Sequence, residues 1–164
     1  MLDKIKKVIR FIGIYGFQRT LIKSVGRLRI NYGLRFLITL PRFRNSDKKI
    51  AIIGCGHHSF SSIVFFLFKN TNSKIIWVYD IDKKASSFLA SFYNIPKYLD
   101  NLDFKTIEKQ DIPDIVYIAS NHKTHVDYAI SFIKLGCDVF IEKPIAINIC
   151  QLRLLSQEVK NSNV

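Results

Sequence analysis

Two glycines, a serine and an aspartate have the spacing of a loop that holds phosphates. Gly54 and Gly56 begin the pattern G-x-G-x-x-S, which ends at Ser59, and Asp80 lies 24 residues beyond Gly56. Gly54 permits a tight turn, and Gly56 lets a pyrophosphate approach the free N–H groups at a helix N-terminus. A carboxylate at Asp80 accepts hydrogen bonds from ribose hydroxyls. The pattern predicts a dinucleotide site, with an ordinary strand–turn–helix corner as the alternative.

The same aspartate indicates which dinucleotide binds. The negative charge of Asp80 disfavours the 2′-phosphate of NADP, so NAD is the predicted cofactor. No arginine follows Asp80 directly, but Lys83 and Lys84 lie close by in the sequence, and NADP therefore stays open.

The surrounding sequence alternates between strand and helix patterns from residue 48 onward. Nearly continuous apolar runs, typical of strands buried on both faces, predict strands at Lys49–Ile53, Lys74–Tyr79, Lys97–Leu99, Asp114–Ala119 and Asp138–Ile141. Helices are predicted over Phe60–Phe68, Lys83–Tyr93, Phe104–Lys109, Thr124–Leu135 and from the cap Asn148 to about Lys160. This alternation predicts an α/β fold, a Rossmann-type doubly wound parallel sheet over residues 48–164.

All four histidines follow the predicted ends of strands, at His57, His58, His122 and His125. The carboxyl ends of parallel strands form the ligand crevice of such a sheet, so these positions favour contacts with a cofactor or substrate. His122 and His125 are three residues apart, but no carboxylate or thiolate clearly converges on them. We therefore expect no metal site.

A second motif, Glu-Lys-Pro at residues 142–144, directly follows the last predicted strand. Together with the glycine loop, Asp80 and the segment 119–125, it resembles the Gfo/Idh/MocA oxidoreductase family over about residues 48–159. The resemblance implies hydride transfer between a nicotinamide dinucleotide and a small sugar, cyclitol or sugar-derived substrate.

The resemblance also implies roles for individual residues. Lys143 would be the catalytic residue, because the family's matching lysine often takes part in proton transfer, and the peptide bond before Pro144 is often cis. Glu142 would help to hold the nicotinamide ribose. The cofactor contacts that it implies are Gly54, Gly56, His57, His58, Asp80, Ser120, His125 and Glu142. Among them, the two adjacent histidines would face the pyrophosphate, and Ser120 and His125 would border the nicotinamide.

Only 20 residues follow Pro144, so the family's C-terminal substrate domain and the sixth strand of its sheet are absent from this sequence. We expect a fragment, a truncated product, or a nucleotide-binding half that needs a partner, which includes a second copy in a homo-oligomer. The alternative function is a non-catalytic NAD(P)-binding module that acts with a partner.

The basic charge is concentrated at the N-terminus. The first 49 residues carry 13 basic and two acidic side chains, whereas the rest carry 12 basic and 11 acidic ones. Residues 1–47 are therefore predicted to form a basic, amphipathic helical extension, with helices at Leu2–Tyr15 and Thr20–Leu34. In the first helix the apolar residues Ile5, Val8, Ile9, Ile12 and Tyr15 share a face.

Two interpretations of this extension stay open. Residues 1–45 bind an anionic membrane surface, as basic amphipathic helices do, or they cover part of the enzyme with their charges solvated. A basic interaction protein associated with membranes is thus a further alternative, whereas nucleic-acid binding is disfavoured because no recognised motif accompanies the charge.

Composition limits the remaining classes. A chain of 164 residues with 48% hydrophobic residues is long enough for one compact domain, and too apolar for a disordered chain. No run approaches the roughly 18 apolar residues of a membrane span. Three scattered cysteines make no disulfide framework, which indicates a cytoplasmic protein. Peripheral association with a membrane is the alternative location.

Overall fold

The fold is built on one parallel sheet. A computed structural model describes residues 2–29, 47–70 and 74–162. Five parallel strands are ordered β3-β2-β1-β4-β5, and their bounds are β1 Lys49–Ile53, β2 Lys74–Tyr79, β3 Tyr98–Leu99, β4 Ile115–Ile118 and β5 Asp138–Ile141. The predicted Rossmann-type doubly wound sheet is confirmed, and the predicted strand bounds agree within one residue at each end.

Helices cover both faces of this sheet. Their bounds are α1 Leu2–Tyr15, α2 Phe17–Leu28, α3 Phe65–Asn70, α4 Lys83–Tyr93, α5 His125–Lys134 and α6 Ile149–Asn161. A π-helical segment at Ser59–Val64 leads directly into α3. The helix after β1 is therefore longer than predicted, because it includes His57 and His58 before the π-helical segment.

Local signals placed several helix ends correctly. The side chain of Asp82 accepts a hydrogen bond from the Lys84 N–H, and Asn148 accepts one from the Gln151 N–H, as expected for N-terminal caps. After α5 the chain turns at Gly136, whose φ of +78° is one that glycine adopts freely.

The helix predicted at Phe104–Lys109 is wrong. The Asp103 carboxylate accepts hydrogen bonds from the Lys105 N–H and the Thr106 hydroxyl, but the chain makes only one turn at 104–106 and does not continue into a helix. A 3₁₀ turn follows at Lys109–Asp111. The ring of Phe104 packs edge-on against that of Phe132, with 5.0 Å between centroids, so burial of this side chain also holds the segment.

Two apolar cores lie on opposite faces of the sheet, because successive side chains of a strand alternate between faces. On one face Ile50 and Ile52 pack with residues of α4 and the π-helical segment. On the other, Ala51 and Ile53 pack with Trp77 and with α5.

The N-terminal extension is helical where the structure describes it. The first predicted helix is confirmed at Leu2–Tyr15; the second begins earlier than predicted, at Phe17, and ends at Leu28. Residues 30–34 of that second prediction lie outside the described residues. Within the parts of the chain that are described, no helix is long and apolar enough to cross a membrane.

The second helix of the extension packs against the sheet domain. Ile22 and Val25 are buried in the same core as Phe60. Gly26 allows this close packing, because a Cβ at that position would lie 2.4 Å from the Cδ1 atom of Phe60. The covering role predicted for the extension therefore applies to α2.

Candidate functional site

The glycine loop lies where the carboxyl ends of the central strands meet. In the sheet register Ile53 pairs with Tyr79 and with Ile118, so the segments that follow β1, β2 and β4 lie side by side. Gly54 has a φ of +88°, and a Cβ on it would lie 2.4 Å from the carbonyl oxygen of Ala119. Only glycine fits this turn without displacing the backbone.

Gly56 has a different environment. An ideal Cβ at Gly56 meets no atom within 4 Å, so the space above the loop backbone is open. The helix that begins at His57 directs its N-terminus towards this end of the loop. An open backbone at a helix N-terminus is the arrangement that accommodates a phosphate.

Ser59 takes the third position of the glycine motif. Its side chain is buried, and its hydroxyl donates a hydrogen bond of 2.5 Å to the carbonyl oxygen of Gly54. A larger side chain would not fit between helix and strand here. Ser59 thus closes the turn through a contact that glycine and alanine cannot make.

Asp80 connects the glycine loop to the segment after β2. Its Oδ2 accepts a hydrogen bond of 2.6 Å from the Cys55 N–H, and its Oδ1 accepts one of 2.8 Å from the Asp82 N–H. Each carboxylate oxygen retains further acceptor capacity. The two bonds hold this carboxylate at the loop, and its contact with ribose hydroxyls stays a prediction.

Cys55 lies between the two glycines, but it is not set up for thiolate chemistry. Its side chain is buried, and burial, reinforced by the charges of Asp80 and Asp82, raises the pKa of its thiol above the ordinary range. A thiol in such surroundings stays protonated at neutral pH.

A crevice of about 270 Å³ brings together four of the predicted contacts, which are Gly54, Gly56, Asp80 and Ser120. Asn121, Thr124 and Tyr128 also line it, although they were not among the predicted cofactor contacts. Thr124 and Tyr128 are four residues apart, so the predicted helix start at Thr124 was a signal that both side chains lie on the same helix face. The Ser120 and Thr124 hydroxyl oxygens are 2.9 Å apart.

Tyr128 forms part of the wall beside Asp80. Burial, with further contributions from Tyr79 and Asp80, raises the pKa of its hydroxyl to about 12. The phenol therefore remains neutral at physiological pH and can donate a hydrogen bond in the crevice.

His57 and His58 diverge from each other. The Nε2 of His57 lies 3.0 Å from the carbonyl oxygen of Lys23 in α2, so its ring contacts the N-terminal extension. The Nε2 of His58 lies 3.0 Å from the Oε1 of Glu142, which directly follows β5. The contact of both rings with a pyrophosphate stays a prediction.

Glu142 and His58 border a second, larger groove of about 490 Å³. The groove is mostly apolar, with Phe66, Tyr117 and Phe140 in its lining. The hydrogen bond from His58 lowers the pKa of the Glu142 carboxyl, and the backbone N–H and charge of Lys143 contribute in the same direction.

We expect His58→Ala to raise the pKa of Glu142 towards its ordinary value, in a ¹³C NMR titration of the carboxyl carbon. Because the folded-state pKa is lowered, the interaction stabilises the fold above the unfolded-state pKa of Glu142 and is lost as the pH falls through the folded-state value. His122→Ala is the matched control, since the His122 ring packs against that of His125 instead. An unchanged Glu142 pKa in the His58 variant would contradict the assignment.

Lys143 is exposed beside Glu142, in the segment after β5, and the peptide bond between Lys143 and Pro144 is cis. The pairing of Ile118 with Ile141 places this segment at the same edge of the sheet as the segment after β4. Lys143 therefore lies at the same end of the sheet as the crevice, but it does not line the crevice.

His125 is fully buried, which distinguishes it from the other three histidines. Its Nδ1 lies 2.9 Å from the carbonyl oxygen of Pro144, and its Nε2 lies 3.1 Å from that of Ser120. Both ring nitrogens are thus engaged by the two loops. This geometry favours a positioning role over the predicted direct contact with a cofactor.

In the described portion of the chain, no group of three or more His, Cys, Asp and Glu side chains is arranged to hold a metal ion. The rings of His122 and His125, whose spacing raised that question, lie 5.4 Å apart at a steep angle.

Comparison with known proteins identifies the family of this chain. Residues 48–164 match the model of an oxidoreductase family with an NAD-binding Rossmann fold. Oxidoreductase P35 of Formosa agariphila is 28% identical over 113 residues, which are 69% of this chain and 35% of that protein. Trans-1,2-dihydrobenzene-1,2-diol dehydrogenase of Xenopus laevis is 32% identical over 82 residues, 50% of this chain and 24% of that protein.

Solved structures agree in fold. Myo-inositol dehydrogenase of Lactobacillus casei, in complex with NAD(H) and myo-inositol, superposes with a TM-score of 0.64 at 19% identity, over 72% of this chain and 34% of that one. The chain thus spans about a third or less of the length of these relatives. Through its family match over residues 48–164, the chain belongs to the Gfo/Idh/MocA oxidoreductase family.

Proposed function

We propose that this chain binds NAD and forms the nucleotide-binding part of an oxidoreductase that acts on a sugar, a cyclitol or a related diol. The observation that carries the proposal is the contact between Asp80 and the Cys55 N–H, which holds a ribose-binding carboxylate against the glycine loop. The family match and the diol and inositol dehydrogenases among the relatives support the substrate class.

The residues of the crevice fit a dinucleotide. Gly56 leaves the backbone open for the pyrophosphate, and Asp80 offers acceptors for the two hydroxyls of the adenosine ribose. Ser120 and Tyr128 supply hydroxyl groups to the same crevice. When bound, the nicotinamide supplies the acceptor or donor of a hydride.

The charges around Asp80 support NAD as the preferred cofactor. Two cations near this end of the crevice already have carboxylate partners: Arg29 pairs with Asp82 at 3.1 Å, and Lys83 pairs with Asp100 at 2.8 Å. A 2′-phosphate would therefore meet the Asp80 carboxylate while these two cations stay paired with their own carboxylates.

Lys143 is the residue that we assign to proton transfer. In the oxidation direction the Nζ of Lys143 would take the proton of the hydroxyl on the carbon that is oxidised, and in the reduction direction it would return that proton. Glu142 lies beside it with its carboxylate held by His58, so the carboxylate can contact a ribose while the lysine faces the substrate.

Two measurements on the native protein test this function. NADH binding is followed by fluorescence, and NADH formation is assayed with polyols such as myo-inositol. Lys143→Met should leave the Kd for NADH within about twofold and lower kcat by at least about a hundredfold, a typical contribution of a general base. The matched control is Lys105→Met at an exposed lysine outside the crevice, which should change neither value.

Three outcomes would contradict parts of the proposal. A chain that binds neither NADH nor NADPH has no dinucleotide site. Binding without turnover of any polyol supports the non-catalytic module instead, and full activity of Lys143→Met removes the lysine from catalysis.

A further inference from the structure

Within the described residues, the first helix of the extension has an exposed apolar face. Ile5 and Val8 are each 50% exposed and Ile9 is 63% exposed, although the three lie on one face of α1. Ile12, one turn further along, is half-buried. Burying such a face would be favourable, so the exposure indicates that α1 has a binding partner.

The opposite side of α1 is basic. Lys6, Lys7 and Arg10 are exposed there, and residues 2–29 together carry eight basic side chains and one acidic side chain, Asp3. Exposed aromatic residues mark the turn between the two helices, with Tyr15 42% and Phe17 60% exposed. Aromatic and basic side chains around an apolar face are typical of helices that lie in a membrane interface.

The second helix attaches this surface to the sheet domain. The guanidinium carbon of Arg19 lies 5.1 Å from the ring centroids of both Tyr15 and Phe66, so it bridges α1 and α3. The Nζ of Lys23 lies 4.8 Å from the centroid of the Tyr15 ring. With Ile22 and Val25 buried, α2 is part of the core, and α1 is connected to a rigid body.

We propose that α1 binds the surface of an anionic lipid bilayer, lying in the plane of the membrane with Ile5, Val8 and Ile9 in the acyl boundary. Charge complementarity selects this partner, because the basic residues that flank the apolar face attract anionic headgroups. A second copy of the chain would bring two strongly basic segments together. A nucleic acid would satisfy the charges but would leave the apolar face in water.

This surface also adjoins the dinucleotide site. The carbonyl oxygen of Lys23 in α2 contacts His57, and the guanidinium of Arg29, the residue that follows α2, pairs with Asp82. Both contacts join this part of the extension to segments that border the crevice. Membrane binding by α1 therefore holds the nucleotide site near the bilayer. Lipid binding and NADH binding nevertheless have separate readouts.

The test is vesicle flotation with the full chain. Vesicles of phosphatidylcholine with 30% phosphatidylserine should bind the protein, whereas pure phosphatidylcholine vesicles should bind it much more weakly, and raising NaCl should release it. Lys6→Glu/Arg10→Glu should lower the partition coefficient by roughly thirtyfold or more, since each basic residue near such a surface contributes about a fivefold factor. Ile9→Asp should abolish binding by burying a charge in the acyl boundary.

Matched controls lie in α6, where Leu154 is 57% exposed and Lys160 is also exposed. Leu154→Asp and Lys160→Glu should bind vesicles like the wild type. Circular dichroism and NADH titration of every variant show whether the fold and the nucleotide site are retained. The proposal would be overturned if the α1 variants bound vesicles as well as the wild type, or if the wild type did not bind anionic vesicles. It would also be overturned if the protein bound DNA or associated with itself in place of binding vesicles.

Discussion

Gly54→Ala should destabilise the protein by about 3 kcal/mol or more, a large fraction of the stability of a typical domain. The φ of +88° places an L-residue in a strained conformation, and the added Cβ would overlap the backbone carbonyl of Ala119, which belongs to the loop after β4. Neither conflict can be relieved by rotating a side chain. Urea unfolding followed by circular dichroism measures the change in midpoint.

Gly56→Ala is the matched control for this prediction. Because the new Cβ meets no atom within 4 Å, we expect the unfolding midpoint to stay close to that of the wild type. Its effect belongs to ligand binding, since the methyl group occupies the space that a pyrophosphate needs. Equal destabilisation by the two variants would show that the turn at Gly54 is not the tight point of the loop.

Several features of the fold and the site could be predicted because they depend on residues that are close together in the sequence. The spacing from Gly54 to Asp80 is local, and so are the continuous apolar runs that predicted β1, β2 and β5 almost to the residue. Caps at Asp82 and Asn148 are likewise set by side chains that bond to the backbone two or three residues away. Such features can be predicted from sequence because the interacting groups are neighbours in the chain.

Contacts between distant parts of the chain could not be predicted in this way. Glu142 meets His58 across 84 residues, and His57 meets Lys23 across 34. The burial of His125 depends on where the loop at Pro144 lies relative to the loop at Ser120. Only the packing of the loops in three dimensions decides whether a histidine faces a ligand or supports the backbone.

The helix predicted at Phe104–Lys109 was wrong for a related reason. Its residue types suit a short helix, but so short a segment does not propagate one by itself, and the ring of Phe104 is held against Phe132. Tertiary packing overrides a weak helix preference in so short a segment. Tertiary packing also holds α2, where Ile22 is buried in the same core as residues of the sheet domain.

Asp80→Asn should weaken NADH binding by at least about tenfold, because a hydrogen bond to a charged group contributes roughly 1.5–3 kcal/mol and 1.4 kcal/mol is a factor of ten. The carboxylate accepts from the Cys55 and Asp82 N–H groups and, in the proposed complex, also from ribose hydroxyls. An amide keeps one acceptor oxygen and turns a donor towards groups that also donate. Fluorescence titration with NADH measures the loss.

The charge itself adds a second, independent readout. Removing the negative charge of Asp80 should weaken NADPH binding less than NADH binding, so the preference for NADH should shrink. The control is Asp138→Asn, since Asp138 is exposed at the start of β5, at the opposite end of that strand from the crevice. A tenfold loss for both cofactors with the preference unchanged would mean that Asp80 holds the loop without contacting the ribose. An unchanged Kd for NADH would remove Asp80 from the site altogether.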